Sequence, residues 1–391
     1  MSRRFGIFAV VVCDSVGCGE APDAVEFGDQ GANTLAHVIE SQHPRLPNLA
    51  RLGLDRIPGV PPLAGRTAEP GAAWGRMVQQ SPAKDTMLGH WELMGVIAEH
   101  GFPLYPEGFP EEILAPFRAR IGRDILGNRA ASGTEIIKEL GGEHVRTGRP
   151  IVYTSGDSVF QIAAHEDVIG VEDLYAMCRI ARQQLRGEHG VGRVIARPFV
   201  GHNSDDFKRT VRRKDLPLPP PAPTALDHLQ AAGIGTYAIG KIHDIFAGHG
   251  ITQYEKTPDN AAGIEATRVA LATTPQPFVF TNLVDFDAEF GHRNNPAGYA
   301  AALEQFDRAV PELLAALPED GCLVITADHG NDPTTPGTDH SRECVPLLVA
   351  GAQVGCHDLG TRATFAYLAA TILDNFGVDA PIAGRSFLSE I

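Results

Sequence analysis

Cys322-Leu323-Val324-Ile325-Thr326-Ala327-Asp328-His329-Gly330 is the stretch on which the fold turns. A short apolar run gives way without transition to Asp, His and Gly. A continuous run of this kind reads as a strand buried on both faces, the habit of parallel sheets covered by helices. The same pattern recurs along the chain. Residues 5–12 lead into Cys13-Asp14, residues 277–284 lead into Asp285 and Asp287, and residues 345–350 form a further run. Helical patterns occupy 260–273, 299–317 and 363–376. Strands alternating with helices imply an α/β protein with a doubly wound, mostly parallel sheet. In such sheets ligands collect at the carboxyl ends of the strands, where these Asp and His residues lie.

The chain has 391 residues, long for one core of ordinary size, so two domains are expected. Phe102-Pro103-Leu104-Tyr105-Pro106 is a break, and the Pro-rich stretch 216–223 reads as a stiff linker. Between them lie helical patterns at 110–120 and 171–186 and strand-like runs at 151–153, 159–163 and 193–200. The expectation is a core domain from 1–100 and 220–391 with a smaller α+β cap, 101–219, inserted into it.

The formal net charge is −15. Such a surface repels nucleic acid and phosphorylated metabolites alike, so a phosphate-handling site here must build its own positive field from metal ions, a helix N-terminus or a few basic side chains. Cysteines at 13, 18, 178, 322, 344 and 356 form no CxxC pair and read as reduced, mostly buried thiols of a cytoplasmic protein. Arg3 and Arg4 ahead of an apolar run imitate a signal peptide, but no small-residue cleavage site follows, and the run reads better as the first strand. No other apolar run approaches the ~20 residues that span a bilayer.

Asp14, Asp287, His292, Asp328, His329 and His340 form the strongest chemical signal. One histidine alone is usually a satisfied core or surface residue; three with three aspartates, all past apolar strands, point to metal. Mixed carboxylate and imidazole ligands suit Mn2+, Zn2+ or Fe2+ better than Ca2+, and two groups of three suffice for two ions. A second signal is Lys84-Asp85-Thr86-Met87-Leu88-Gly89-His90-Trp91-Glu92. Thr86 there is either an ordinary helix cap or a nucleophile at a helix N-terminus, where phosphate is stabilised. Weaker signals are Tyr153-Thr154-Ser155-Gly156-Asp157, a sugar-binding turn or a plain hairpin loop; Arg193 and Arg197 on one polar strand face; and Lys241 just past a strand.

Together these segments resemble the phosphopentomutases of the alkaline phosphatase superfamily, nearly end to end. The resemblance runs from Asp14-Ser15-Val16-Gly17 through Asp85-Thr86, Gly89-His90-Trp91-Glu92, Ala131-Ser132-Gly133-Thr134-Glu135 and residues 153–166. It ends in Gly291-His292-Arg293, Asp328-His329-Gly330 and His340. It implies an alkaline-phosphatase-like core and an isomerase that interconverts ribose or deoxyribose 1-phosphate and 5-phosphate through a phosphothreonine at Thr86. It also implies two metal ions, usually Mn2+. One is held by Asp287, His292 and His340, the other by Asp14, Asp328 and His329 with Thr86. Ser155, Asp157, Arg193 and Lys241 are implied in substrate binding, and a sugar bisphosphate is the implied activator. Met87-Leu88 and Gly156 depart from the commoner pattern without touching a ligand. The expected partners are small pentose phosphates, with neither nucleic acid nor membrane; the oligomeric state is left open. The rival readings are a phosphohydrolase on the same metal scaffold, the related cofactor-independent phosphoglycerate mutases, and a metal-binding module without catalysis.

Overall fold

The computed structural model describes residues 3–391. In chain order its strands are β1 (Ile7–Cys13), β2 (Ala73–Met77), β3 (Leu126–Ala130), β4 (Ile151–Thr154), β5 (Val159–His165), β6 (Arg193–Val200), β7 (Lys208–Arg209), β8 (Lys214–Pro217), β9 (Thr236–Ile239), β10 (Gln253–Glu255), β11 (Phe278–Leu283), β12 (Gly321–Thr326), β13 (Val345–Ala350) and β14 (Asp358–Arg362). The chain divides into two compact units. One comprises the residues up to Gly101 together with Pro220–Ile391, and the other is Phe102–Pro219.

The first unit is built on an eight-stranded sheet in the order β10-β9-β11-β1-β12-β13-β2-β14. Its first five strands are mutually parallel; β13 runs antiparallel to both neighbours, and β14 is parallel to β2. β1 and the two strands beside it are buried almost throughout because both faces are covered, and Phe8, Val10 and Val12 are fully buried. The register places Val12 opposite both Asn282 of β11 and Thr326 of β12, so the three strands end level. The Asp14 amide closes the ladder on the Leu283 carbonyl at 3.0 Å. Asp14, Asp287 and Asp328 therefore leave one edge of the sheet from three adjacent strands. The helix Pro296–Ala316 carries the chain from β11 to β12, as a parallel crossover requires.

The inserted unit is α+β. Its mixed sheet runs β3-β4-β5-β6-β7, with β8 also paired to β6. Helices Glu111–Ile121 and Val171–Gln184 cover one face over Val152, Phe160, Ile162, Ala164, Val194 and Ala196. The helix Gly133–Thr147 packs on the other, over Ile151, Tyr153, Ala163 and Phe199. Sequence periodicity did not reveal that helix. Gly141-Gly142 in its middle is a poor helix former, but a Cβ at Gly141 would stand 2.6 Å from the Phe207 ring, so packing outweighs propensity. The expected linker 216–223 starts late. Leu216 pairs with Val194 and packs on the first cluster, which draws the first two residues of the stretch into β8.

Among the described residues no helix is long and apolar enough to cross a membrane. All six cysteines are free thiols and five are buried, with Cys356 exposed.

Candidate metal centre and active site

Two clusters of potential ligands form at the carboxyl edge of β1, β11 and β12. Asp14, Asp328 and His329 make one; Asp287, His329 and His340 make the other, with the ligand atoms of each within 4.8 Å of one another. His329 Nε2 lies 3.3 Å from Asp14 Oδ1 and 3.3 Å from Asp328 Oδ2. His292 Nε2 lies 3.1 Å from Asp287 Oδ2 and 3.1 Å from His340 Nε2, while His340 Nε2 is 3.4 Å from Asp287 Oδ1. The six residues singled out in the sequence thus come together.

The local backbone aims them. His292 turns Nδ1 to the Thr338 carbonyl at 2.6 Å, and His329 turns Nδ1 to the Gly330 carbonyl at 3.0 Å. Each bond takes the proton at Nδ1 and leaves the Nε2 lone pair facing the carboxylates, the usual way a ligating imidazole is fixed. Asn282 donates to Asp14 Oδ2 at 3.0 Å and Asn331 to Asp287 Oδ1 at 2.8 Å. Ser15, in the left-handed region at φ 71°, donates its amide to Asp328 Oδ1 at 3.1 Å, and the Tyr299 hydroxyl donates to the Ser15 carbonyl at 2.9 Å. A buried non-glycine residue held at positive φ costs about 1–3 kcal/mol and marks a position its surroundings dictate.

The charges do not balance without a cation. Asp14 Oδ1 and Asp328 Oδ2 are buried against imidazole nitrogens: His329 Nε2 lies 3.3 Å from each, and His90 Nδ1 lies 3.1 Å from Asp328 Oδ2. A desolvated carboxylate is costly unless a cation faces it, and a metal ion removes that cost. Burial raises Asp328, but His329 and His90 outweigh it and hold it below the ordinary range. Burial likewise raises Asp287, and hydrogen bonds from His292 and His340 overcome it and pull it far down. His292 is pushed up to about 9, first by its bond to Asp287, against burial. Burial alone would lower His329, yet Asp328 and Asp14 hold it well above its usual value. The field is strong enough to keep protons on imidazoles, and a divalent cation answers the same field. Carboxylate and imidazole donors in this number fit such an ion.

Thr86 opens the helix Thr86–Leu93, capped by Asp85, whose carboxylate accepts from the Leu88 amide at 3.0 Å. Thr86 Oγ1 stands 3.0 Å from His329 Nε2. Three neighbours in the motif explain how the helix reaches that spot. Gly89 lies against the turn after β12, where a Cβ would sit 2.3 Å from the Asp328 carbonyl oxygen. His90 is buried, with Nδ1 2.9 Å from the Thr86 carbonyl and 3.1 Å from Asp328 Oδ2. Glu92 is buried and accepts from the amides of Gln80 and Ser81 at 2.8 and 2.7 Å and from Thr364 Oγ1 at 2.7 Å. Gly89→Ala separates two effects of opposite sign. In an unconstrained helix it stabilises by roughly 1 kcal/mol; here the close approach predicts a loss of about 1–3 kcal/mol, with Thr86 lifted off His329. A denaturation midpoint at or above wild type would show that the helix has slack.

Two residues essential to this geometry carried no signal in the sequence. Arg342, 1% exposed, places Nη1 on Gln79 Oε1 at 2.9 Å and the Ser81 carbonyl at 2.7 Å, and Nη2 on Asp23 Oδ2 at 2.8 Å, so it ties down the loop ahead of Thr86. Glu343, also 1% exposed, accepts from Thr34 Oγ1 and Ser341 Oγ at 2.7 Å each and from the Thr34 amide at 2.9 Å.

The expected substrate residues divide between the units. Lys241 is exposed at the end of β9 in the first unit, on the same sheet edge as the clusters. Ser155, Asp157 and Arg193 belong to the insert. Asp157 and Arg193 face each other at 3.8 Å, with Arg193 also 3.9 Å from Asp215, and Ser155 is half-buried in the same loop as Asp157.

Residues 7–380 match the family model of the metalloenzyme superfamily. The chain is 55% identical over 385 residues to the phosphopentomutase of Caldanaerobacter subterraneus subsp. tengcongensis, covering 98% of this chain and 97% of that protein. It is 53% identical over 384 residues to the phosphopentomutase of Herpetosiphon aurantiacus, covering 98% of each. The fold is shared at 14% identity with phosphoglycerate mutase from Leishmania mexicana, with TM-score 0.52 and 98% of each chain covered. It is shared at 16% identity with the PH0037 protein from Pyrococcus horikoshii, with TM-score 0.51, 98% of this chain and 100% of that one covered. With more than half of its residues shared along almost its whole length, the chain belongs to the phosphopentomutase family of the metalloenzyme superfamily.

Proposed function

We propose that the chain interconverts ribose or deoxyribose 1-phosphate and 5-phosphate, with Thr86 carrying the phosphoryl group in transit. The observation that carries this reading is the Thr86 hydroxyl, at a helix N-terminus and 3.0 Å from an imidazole shared by two ligand clusters. A lone threonine hydroxyl is too weak a nucleophile, and cations held by Asp14, Asp328 and His329 and by Asp287, His292 and His340 would supply the Lewis acidity that phosphoryl transfer needs. Mn2+ fits these donors, as do other divalent ions.

The chain's own groups account for the rest. Phosphothreonine gives its phosphoryl group to the free O1 or O5 of a sugar phosphate: the P–Oγ1 bond breaks, a P–O bond to sugar forms, and the sugar hydroxyl proton passes to Thr86 Oγ1. The resulting sugar bisphosphate returns its other phosphoryl group to Thr86 and leaves as the isomer. The helix amides following Thr86 stabilise the phosphate charge. A sugar bisphosphate primes an unphosphorylated enzyme by the second half of this cycle. In the insert, Ser155, Asp157 and Arg193 are the proposed sugar contacts, with Lys241 a further contact from the first unit; the insert's proposed role is to favour transfer to sugar over water. The protein is proposed to act in the cytoplasm.

The test is turnover of ribose 1-phosphate and deoxyribose 1-phosphate with Mn2+, with and without a catalytic sugar bisphosphate. The 5-phosphate is the expected product, faster with the bisphosphate. Free phosphate as the main product would replace this reading with a phosphohydrolase.

A further inference from the structure

The three aspartates of the metal clusters are held in one pattern. Asn282 Nδ2 donates to Asp14 Oδ2 at 3.0 Å, the Ser15 amide to Asp328 Oδ1 at 3.1 Å, and Asn331 Nδ2 to Asp287 Oδ1 at 2.8 Å. In each case the other oxygen faces an imidazole. Asp14 Oδ1 and Asp328 Oδ2 lie 3.3 Å from His329 Nε2, and Asp287 Oδ2 lies 3.1 Å from His292 Nε2. His340 Nε2 also approaches Asp287 Oδ1, at 3.4 Å, farther off than the Asn331 amide. One oxygen of every aspartate is thus engaged by a neutral N–H, and the other is left for a cation.

The two asparagines are kept in place at a cost. Asn282 and Asn331 are 0% and 1% exposed, and the amide oxygen of each has no hydrogen-bond partner among the described residues. A buried carbonyl oxygen left bare costs about 1–3 kcal/mol, so neither amide is placed to satisfy itself. Only the NH2 end of a side-chain amide can face a carboxylate, since the carbonyl end would repel it. The surroundings fit this pose. A Cβ on Gly291, the residue before His292, would stand 2.7 Å from Asn331 Nδ2, and the Asn331 backbone amide is tied to Thr34 Oγ1 at 3.2 Å. Asn282 lies opposite Val12 of β1, two residues ahead of Asp14, and its Nδ2 also stands 3.4 Å from His90 Nε2.

We propose that Asn282 and Asn331 set which ion the centre accepts: by engaging one oxygen of Asp14 and of Asp287, they hold each carboxylate to single-oxygen ligation and so discriminate against Ca2+. That ion gathers about six to eight oxygens and often takes both from one carboxylate. Held this way, the cluster of Asp14, Asp328 and His329 offers two carboxylate oxygens, and that of Asp287, His292 and His340 offers one. Few oxygens and several imidazoles suit a transition-metal ion instead. The asparagines are positioning residues, acting on the ion through the aspartates. The Ser15 amide does the same for Asp328 from the backbone. The inference rests on the two-ion part of the proposed reading.

The test is calorimetric titration of Mn2+ and of Ca2+ into the dialysed full-length chain, as wild type, Asn282→Ala and Asn331→Ala. Each variant is expected to weaken Mn2+ binding at its own cluster about ten- to a hundredfold, the usual effect of removing a group that orients a ligand. Ca2+ binding there should hold or tighten, because the freed oxygen adds a ligand, so the preference for Mn2+ over Ca2+ falls by a similar factor. The two variants act on different clusters, so in each the other cluster reports that the chain is folded. A merely structural defect would weaken both ions alike, and an unchanged preference in both variants would overturn the inference. With wild type binding Mn2+ at both clusters, that result leaves the two-ion reading standing. A wild type that binds no Mn2+ would overturn both.

Discussion

Thr86→Ala is expected to abolish isomerisation, by on the order of 10^4–10^6, the scale on which enzymes lose rate with their nucleophile. The side chain is half-buried, and its truncation removes one hydrogen bond to His329, so folding and metal content should be close to wild type. Label from a sugar bisphosphate should remain on the wild-type protein after denaturation and be missing from the variant. Thr86→Ser keeps the hydroxyl and should retain measurable turnover. If Thr86→Ala keeps more than a small fraction of the activity, another group carries the phosphoryl, and the helix N-terminus is only a binding surface.

Loss of a ligand should be almost as damaging for a different reason. Asp328 is fully buried and faces both His329 and His90, so Asp328→Asn leaves the imidazoles without their counter-charge. His340→Ala removes the nitrogen that meets both Asp287 and His292. If metal binding contributes several kcal/mol to transition-state stabilisation, either change should lower kcat/KM by about three powers of ten, with less metal retained after dialysis. A proton balance gives a second readout. His292 free of metal titrates at about 9, so it carries a proton at pH 7 that ligation must expel. Metal affinity should therefore rise with pH up to about 9. Calorimetry at pH 7 should show a binding enthalpy that varies with the buffer's ionisation enthalpy. A buffer-independent enthalpy, with full metal content in both variants, would remove these residues from the ligand set.

The sequence disclosed the residues whose chemistry is unusual for their place. Asp and His following a fully apolar run stand out because a buried parallel strand has no polar period to hide them, and β11, β1 and β12 deliver all three aspartates to one edge. The groups that aim the ligands were not legible. Asn282, Asn331, Arg342 and Glu343 are ordinary polar residues in a linear reading, and their burial and partners arise from contacts between distant segments: Asn282 meets Asp14, and Glu343 meets Thr34. His90 could be read only as part of a motif, since its bond to Asp328 needs the close approach that Gly89 permits. β2 escaped because alternate half-buried residues and a central glycine in Ala73–Met77 give no apolar run.

The place of β1 in the middle of its sheet also bears on how the chain is made. Its two neighbours, β11 and β12, start at Phe278 and Gly321, so at roughly 5–20 residues per second the ribosome leaves β1 unpaired on both edges for on the order of tens of seconds. During that interval an apolar strand waits in the nascent chain, which is a hazard for aggregation. The insert, Phe102–Pro219, is contiguous in sequence and has its own clusters of buried side chains, so its internal contacts are all available while the first unit still lacks six of its eight strands. Synthesis with a chaperone that holds the early segment should raise the yield of active enzyme more than added metal does.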